Sequence, residues 1–290
     1  MTDSDGTQVD AYSRETTDVL ISEAADVIRA AGFASAHLVV IGGLVPSFLV
    51  PVLEEGADPH IGTADIDLCV SLAFVDGETE EYDRLERVLL DRGFSVSDAS
   101  FRWVRGTHPR VTLEFFCPAG PGRPAGAAHR PRAADNPVAK HNMGARLSAL
   151  ALDAGDVLID DAETIERRVV LPEGRGTIDI ALRVTGPLGF LVAKSAALQN
   201  RDKPKDAYDI VWLLESWPGG PAAAAVAWGE RAAYTAEVEV LVRRLGQQFE
   251  STGSVGAVSY SRFVSSPPPL ATRQAVGAVR EFLRALRQAG

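Results

Sequence analysis

The 290-residue sequence predicts an α/β lobe with a mixed sheet followed by a helical lobe. Three observations carry this. The chain opens helix, strand, helix, strand. Several further short β-like runs follow before residue 186. After Gly186-Pro187 every periodic segment has helical spacing. The expected division is an α/β domain over 1–185 and a helical domain over 186–290.

Each element has its own signal. Thr17 to Ala31 places Leu20, Ala24, Val27, Ile28 and Ala31 on one helical face, and Gly32 ends it. His37 to Ile41 is a short buried strand, Gly42-Gly43 turns the chain, and Leu44 to Leu53 continues as a helix with Pro46 in its first turn. Asp65 to Ser71 alternates as a strand does, Glu78 to Arg92 is a charged helix, and Phe101–Val104 and Val111–Phe116 are strands. Pro118 to Asn136, loaded with Pro, Gly, Ala and Arg, predicts a long loop. Shorter β-like pieces lie at Val157–Ile159, Val169–Leu171 and Thr177–Arg183. Helices are expected over 188–199, 204–216, 222–248 and 271–288, with Ser265-Ser-Pro-Pro-Pro269 as the linker to the last.

Composition excludes several classes. No apolar run reaches the roughly 18 residues a bilayer requires, so no membrane role is expected. The opening Met1-Thr-Asp-Ser-Asp-Gly6 is acidic and polar, unlike a secretory signal, which predicts a cytoplasmic protein. Cys69 and Cys117 sit in apolar strand-like surroundings and read as buried thiols, and the five histidines show no zinc-type spacing. The net charge of −10 is unevenly spread: residues 1–100 carry 5 Lys/Arg against 20 Asp/Glu, residues 101–150 carry 8 against 2, and residues 186–290 carry 12 against 9. Such basic tracts can hold a polyanion locally on an acidic protein.

The chemistry concentrates in Gly62-Thr-Ala-Asp-Ile-Asp-Leu68. On a strand, Asp65 and Asp67 share a face about 6.6–6.8 Å apart along the axis. Two adjacent carboxylates offer the hard oxygen ligands that suit Mg²⁺, or Mn²⁺ in its place, and through it nucleotide phosphates. A solvated strand edge can carry the same letters. Gly42-Gly43, a bend between strand and helix, adds backbone amides that an anion can approach without a Cβ in the way. Glu114, alternating within Arg110-Val-Thr-Leu-Glu-Phe-Phe116, is either a third metal ligand or an exposed strand acid.

Lys194 is the second unusual residue, placed on the apolar face of its helix among Phe190, Leu191, Ala197 and Leu198. Snorkelling to solvent would explain it, and so would a phosphate or carboxylate partner. In Arg201-Asp-Lys-Pro-Lys-Asp-Ala-Tyr-Asp209 the basic Arg201, Lys203 and Lys205 can meet phosphates or form a solvated corner. Asp206 and Asp209 lie one turn apart near a helix start, where acids are favourable in any helix.

Together, Ile41-Gly42-Gly43, Thr63-Ala64-Asp65-Ile66-Asp67, and Lys194 with Arg201, Lys205-Asp206 and Asp209 resemble the AbiEii-like nucleotidyltransferase toxins, including the mycobacterial MenT branch. The resemblance implies a polymerase β-like nucleotidyltransferase fold, bilobed, with its site in a cleft. It further implies Asp65, Asp67, Lys194 and Asp209 as the catalytic set. Gly42, Gly43, Thr63, Arg201 and Lys205 would bind nucleotide. Gly43 stands where the superfamily often has Ser, a hydroxyl that Ser47 could supply. Relatives act as toxins of type IV-like toxin–antitoxin pairs, so an NTP, the 3′ end of tRNA as acceptor and a cognate antitoxin are the implied partners. Mycobacterial members look like enzymes that add pyrimidine nucleotides and so block translation. The alternatives are a protein or small-molecule hydroxyl as acceptor, and a catalytically inactive regulatory binding module.

Overall fold

Four consecutive apolar residues, Leu38–Ile41, form strand β1, and all four are buried. A strand covered on both faces needs such an uninterrupted run. In the computed structural model of the protein, residues 14–71, 79–107, 110–130, 146–229 and 236–289 are described. The chain packs as two units, Met1–Val45 with Ile61–Thr185, and Pro46–His60 with Gly186–Gly290. The division at 185/186 is the one the sequence suggests. The return of Pro46–His60 to the second unit is not legible in the sequence.

In the first unit the described strands form one mixed sheet. β1 pairs antiparallel with β2 (Asp65–Val70) and parallel with the strand Thr177–Val184. Numbered along the chain, the other strands are β3 (Ser95–Val96), β4 (Arg102–Arg105), β5 (Val111–Pro118), β6 (Ala128–His129), β7 (Ala149–Leu152) and β8 (Glu163–Val170), which makes Thr177–Val184 β9. The order is β3-β4-β5-β2-β1-β9-β8, with β7 pairing β5 and β6 pairing β7. Helix α1 (Arg14–Ala31) buries Leu20, Ala24, Val27, Ile28 and Ala31, the predicted face. Its buried Asp26 accepts from Arg92 at 2.5 Å and from Arg175 at 2.8 Å, which ties α1 to the β8–β9 turn. Helix α3 (Thr79–Asp91) contributes Leu85 and Leu89 to the same core.

Three expectations in this half are corrected. The helix predicted over Leu44–Leu53 is a 3₁₀ turn at Gly42–Leu44 followed by the single turn α2 (Pro46–Leu49). Of the loop predicted over Pro118–Asn136, residues 118–130 fold: Gly120 and Arg123 bridge, and β6 joins β7, while 131–136 lie outside the described residues. Val157–Ile159 belongs to a short helix, α4 (Gly155–Asp160). Six residues are too few to display a helical period, so the aliphatic run mimics a strand. A Cβ on Gly155 would lie 2.4 Å from the Cα of Pro118, so this helix start fits against β5 only as glycine.

The second unit is helical: α5 (Pro187–Asn200), α6 (Lys205–Ser216), α7 (Gly220–Gly229), α8 (Ala236–Gln248), α9 (Val255–Phe263) and α10 (Pro268–Ala289). The predicted helix 222–248 is two helices among the described residues, and α9 is unanticipated because its Gly256, Ser259 and Ser261 dilute the apolar signal. Pro268, expected in a linker, opens α10, where a missing N–H costs nothing. Ala271, Ala275, Val279, Phe282 and Leu286 form the buried stripe of α10 at helical spacing. No described helix is long and apolar enough to cross a membrane.

Candidate functional site

Asp65 and Asp67 stand on β2 between β1 and β5. Both are half-buried, while Ile66 and Leu68 between and beyond them are fully buried. Strand alternation therefore places the two carboxylates on one face. Cys69, which alternation sets on that same face, is fully buried, and burial pushes its thiol far above the ordinary range.

The Gly-Gly bend meets this pair directly. Ile41, the last residue of β1, lies opposite Asp67 in the antiparallel register. The next residue, Gly42, has φ +68°, and a Cβ there would fall 1.9 Å from Oδ2 of Asp67 and 2.8 Å from its Cγ. Glycine is required twice over, by backbone conformation and by space. Gly43 is buried in the 3₁₀ turn. Thr63 is buried, and its Oγ1 faces the Asp65 amide at 3.5 Å, at the outer limit of a hydrogen bond. Ser47, on α2, belongs to the second unit, so the bend and this hydroxyl are carried by different units.

Glu114 lies beside Asp67 in the parallel β2–β5 register, as Thr112 lies beside Asp65. On its other side it faces Arg102 of β4, whose Nε donates to it at 2.5 Å. One sheet row thus reads Ile41, Asp67, Glu114, Arg102. The carboxylate expected as a third metal ligand is engaged by a guanidinium. Among the described residues no group of three or more His, Cys, Asp or Glu side chains gathers to hold a metal ion.

The second unit carries a buried ion cluster. Lys194 on α5 lies 3.1 Å from Asp206 Oδ1 and 2.6 Å from Asp209 Oδ2. Its partner is a pair of carboxylates, one of the two explanations its apolar setting allows. Arg201 grips both oxygens of Asp206, through Nε at 2.8 Å and a terminal nitrogen at 2.9 Å, the bidentate geometry that suits arginine. Asp209 Oδ1 accepts from Lys205 at 2.7 Å and pairs with His60 Nε2 at 2.9 Å. His60 packs against Tyr208 and edge-on to Trp212, with ring centroids 5.3 and 4.8 Å apart.

Charge in this cluster is unevenly balanced. Three cations face two carboxylates. Burial would neutralise Lys194, but Asp209 and Asp206 overcome it and hold the ammonium well above its usual range. At Lys205 burial wins, helped by Lys194, and its pKa falls to about 8 in spite of Asp209. Burial opposes the ionised form of Asp209, yet Lys194, Lys205 and His60 hold it well below the carboxylate range, and Asp206 is lowered in the same way by Lys194 and Arg201. Burial lowers His60 in spite of Asp209, and facing a carboxylate its Nε2 is the donor. Asp209, expected in a catalytic set, has no exposed surface, and what it does here is hold cations.

One participant, His60, escaped the sequence reading, and a second, Asp206, is named in it without this role. His60 lies 149 residues from Asp209 in an aperiodic stretch, and Asp206 reads as an ordinary acid of a helix start although it is fully buried between Lys194 and Arg201.

No protein-family model matches the chain. No curated protein matches it either. Among solved structures, a crystal structure of JHP933 from Helicobacter pylori aligns over 96% of this chain and 95% of its own, with a TM-score of 0.39 and 11% identity.

Proposed function

We propose that this chain is a metal-dependent nucleotidyltransferase with the polymerase β-like fold, acting as a toxin that transfers a nucleotide, a pyrimidine as the family resemblance implies, from an NTP to the 3′ end of tRNA.

 The observation that supports this is the meeting of Gly42 with Asp67: the bend that would receive phosphate and the second carboxylate of the pair share one small space.

The donor set fits a hard divalent cation. Asp65 and Asp67 present half-buried oxygens on one strand face, and the bare Cα of Gly42 makes the room that the Asp67 carboxylate occupies. Mg²⁺ or Mn²⁺ held there would neutralise charge on the triphosphate and lower the pKa of the acceptor hydroxyl. The Gly42-Gly43 backbone admits the phosphates. Within the helical unit, Lys194, Arg201 and Lys205 carry one positive charge more than Asp206 and Asp209 balance, a surplus that suits an anionic group, and the two carboxylates hold those cations in place. The acceptor oxygen bonds to the α-phosphorus, the bond to the β-phosphate oxygen breaks, pyrophosphate leaves, and the hydroxyl proton passes to solvent.

The test offers α-labelled NTPs and Mg²⁺ to the protein with total RNA, with protein extract and with small-molecule hydroxyls in parallel. Label should enter the tRNA fraction and disappear with Asp67→Asn. Label in protein or small molecules instead would move the acceptor, and no label in any fraction would sink the enzymatic assignment.

A further inference from the structure

Helices α8 and α10 leave a groove between them, two adjoining cavities of about 550 and 410 Å³, both lined by Gly246 and Arg287. Arg243 borders the first cavity, and Arg280 and Arg284 border the second. All four arginines are exposed. On α10 they follow at i, i+4 and i+7, which sets Arg280, Arg284 and Arg287 along one helix face over roughly 10 Å.

Two further features distinguish this face from an ordinary solvated one. Among the described residues none of the four arginines pairs with a carboxylate, and the contact made by Arg280 is to the backbone carbonyl of Glu250, at 3.2 Å. The groove also holds the acids Glu239 and Glu250, so its charge is four against two in a chain of net charge −10. Its floor is kept low by Gly246. This residue has no positive φ that would require glycine, and a Cβ there would sit 4.0 Å from Leu283 Cδ1, in ordinary contact. Glycine in mid-helix costs about 1 kcal/mol relative to alanine, and here neither backbone strain nor crowding explains it; an open floor does.

We propose that the α8–α10 groove binds the phosphate backbone of RNA through Arg243, Arg280, Arg284 and Arg287. Exposed guanidiniums without acid partners, spaced along a helix, suit a chain of phosphates and carry no base-reading geometry. The groove would hold the acceptor RNA of the function proposed above, and it rests on that function only for the RNA's identity.

The experiment measures binding of a fluorescein-labelled RNA stem-loop to the full chain between 50 and 300 mM KCl, for wild type, Arg280→Gln/Arg284→Gln and Gly246→Met, with thermal melts confirming folding. Loss of two phosphate contacts should weaken binding at least tenfold near 100 mM KCl and reduce the slope of log K against log[KCl] by about 1.4–1.8. Gly246→Met, which fills the floor and leaves every charge in place, should weaken binding without changing that slope. Unchanged affinity and slope in the double variant would overturn the proposal. So would polyglutamate binding as tightly as the RNA, which would make the groove a site for acidic protein. Nucleotide transfer is read separately: RNA binding with no transfer removes the enzymatic assignment and leaves the groove, whereas transfer with an unaltered salt slope does the reverse.

Discussion

Gly42 and Asp67 cannot both be changed freely, because the position a Cβ would take on Gly42 is 1.9 Å from the Asp67 carboxylate. Gly42→Ala must move that carboxylate and also place alanine at φ +68°, a left-handed conformation that costs about 1–2 kcal/mol. We expect the variant to lose that much stability or more, and to lose nucleotide transfer by at least about 100-fold, on the order of 2.7 kcal/mol in barrier. In an Asp67→Ala background the stability penalty of Gly42→Ala should shrink, leaving the backbone cost and the contact with the Cβ of residue 67 at 2.9 Å. Thermal denaturation of the four proteins in this cycle checks it, and equal penalties in both backgrounds would refute the steric coupling.

The imbalance of charge around Asp209 predicts an order of stability. Asp209→Asn leaves Lys194 and Lys205 buried beside a neutral amide, and breaking a buried pair in this way costs about 3–5 kcal/mol. Lys205→Met removes the cation in excess, so Lys194 and Arg201 are left facing Asp206 and Asp209 in equal number. It should cost less than Asp209→Asn, because Asp209 keeps Lys194 as a partner and no cation is left without one. Denaturant unfolding ranks the two variants, and an inverted order would show that Lys205 is needed for charge balance.

How far these features were legible varies with their cause. Helix α1 was readable because Leu20, Ala24, Val27, Ile28 and Ala31 obey one period, and all five are buried. Asp65 and Asp67 were readable because a strand fixes the face of alternate residues. That Gly42 touches Asp67 was not, since it depends on the antiparallel register that sets Ile41 against Asp67. Lys194 announced a partner by its apolar setting, but two carboxylates one turn apart on the next helix read equally well as helix-start acids. His60 carried no signal, because its role comes from the return of Pro46–His60 to the helical unit.

Titration of the cluster gives a pH dependence with a definite sign. The Lys205 pKa of about 8 in the fold lies below the unfolded value of roughly 10.4. Between the two the unfolded chain holds more protons, so this residue makes stability rise with pH over that window. Lys194 is raised, so its contribution is intact below its unfolded value and falls only at higher pH. Asp206 and Asp209 are lowered, and their contribution is present above the unfolded carboxylate value and lost as pH falls through their folded values. The melting temperature of wild type minus that of Lys205→Met should therefore increase from pH 7.5 to 10. A flat or falling difference would contradict the burial assigned to Lys205.

Glu114 provides the sharpest test of the metal site. It is in register with Asp67 and is held by Arg102 at 2.5 Å, so its charge is already compensated. If the site consists of Asp65 and Asp67, Glu114→Gln should leave the Mg²⁺ concentration for half-maximal transfer within about threefold, since a surface-linked charge pair is worth roughly 0–1 kcal/mol. Asp65→Asn should raise that concentration by at least about tenfold, on the order of 1.4 kcal/mol. Arg102→Gln then frees the Glu114 carboxylate beside Asp67, which adds negative charge to the row and should lower the Mg²⁺ requirement. Magnesium titrations of the three variants separate the roles. A loss of transfer in Glu114→Gln comparable with that in Asp65→Asn would make Glu114 a ligand, and the Arg102 contact would then have to open before metal binds.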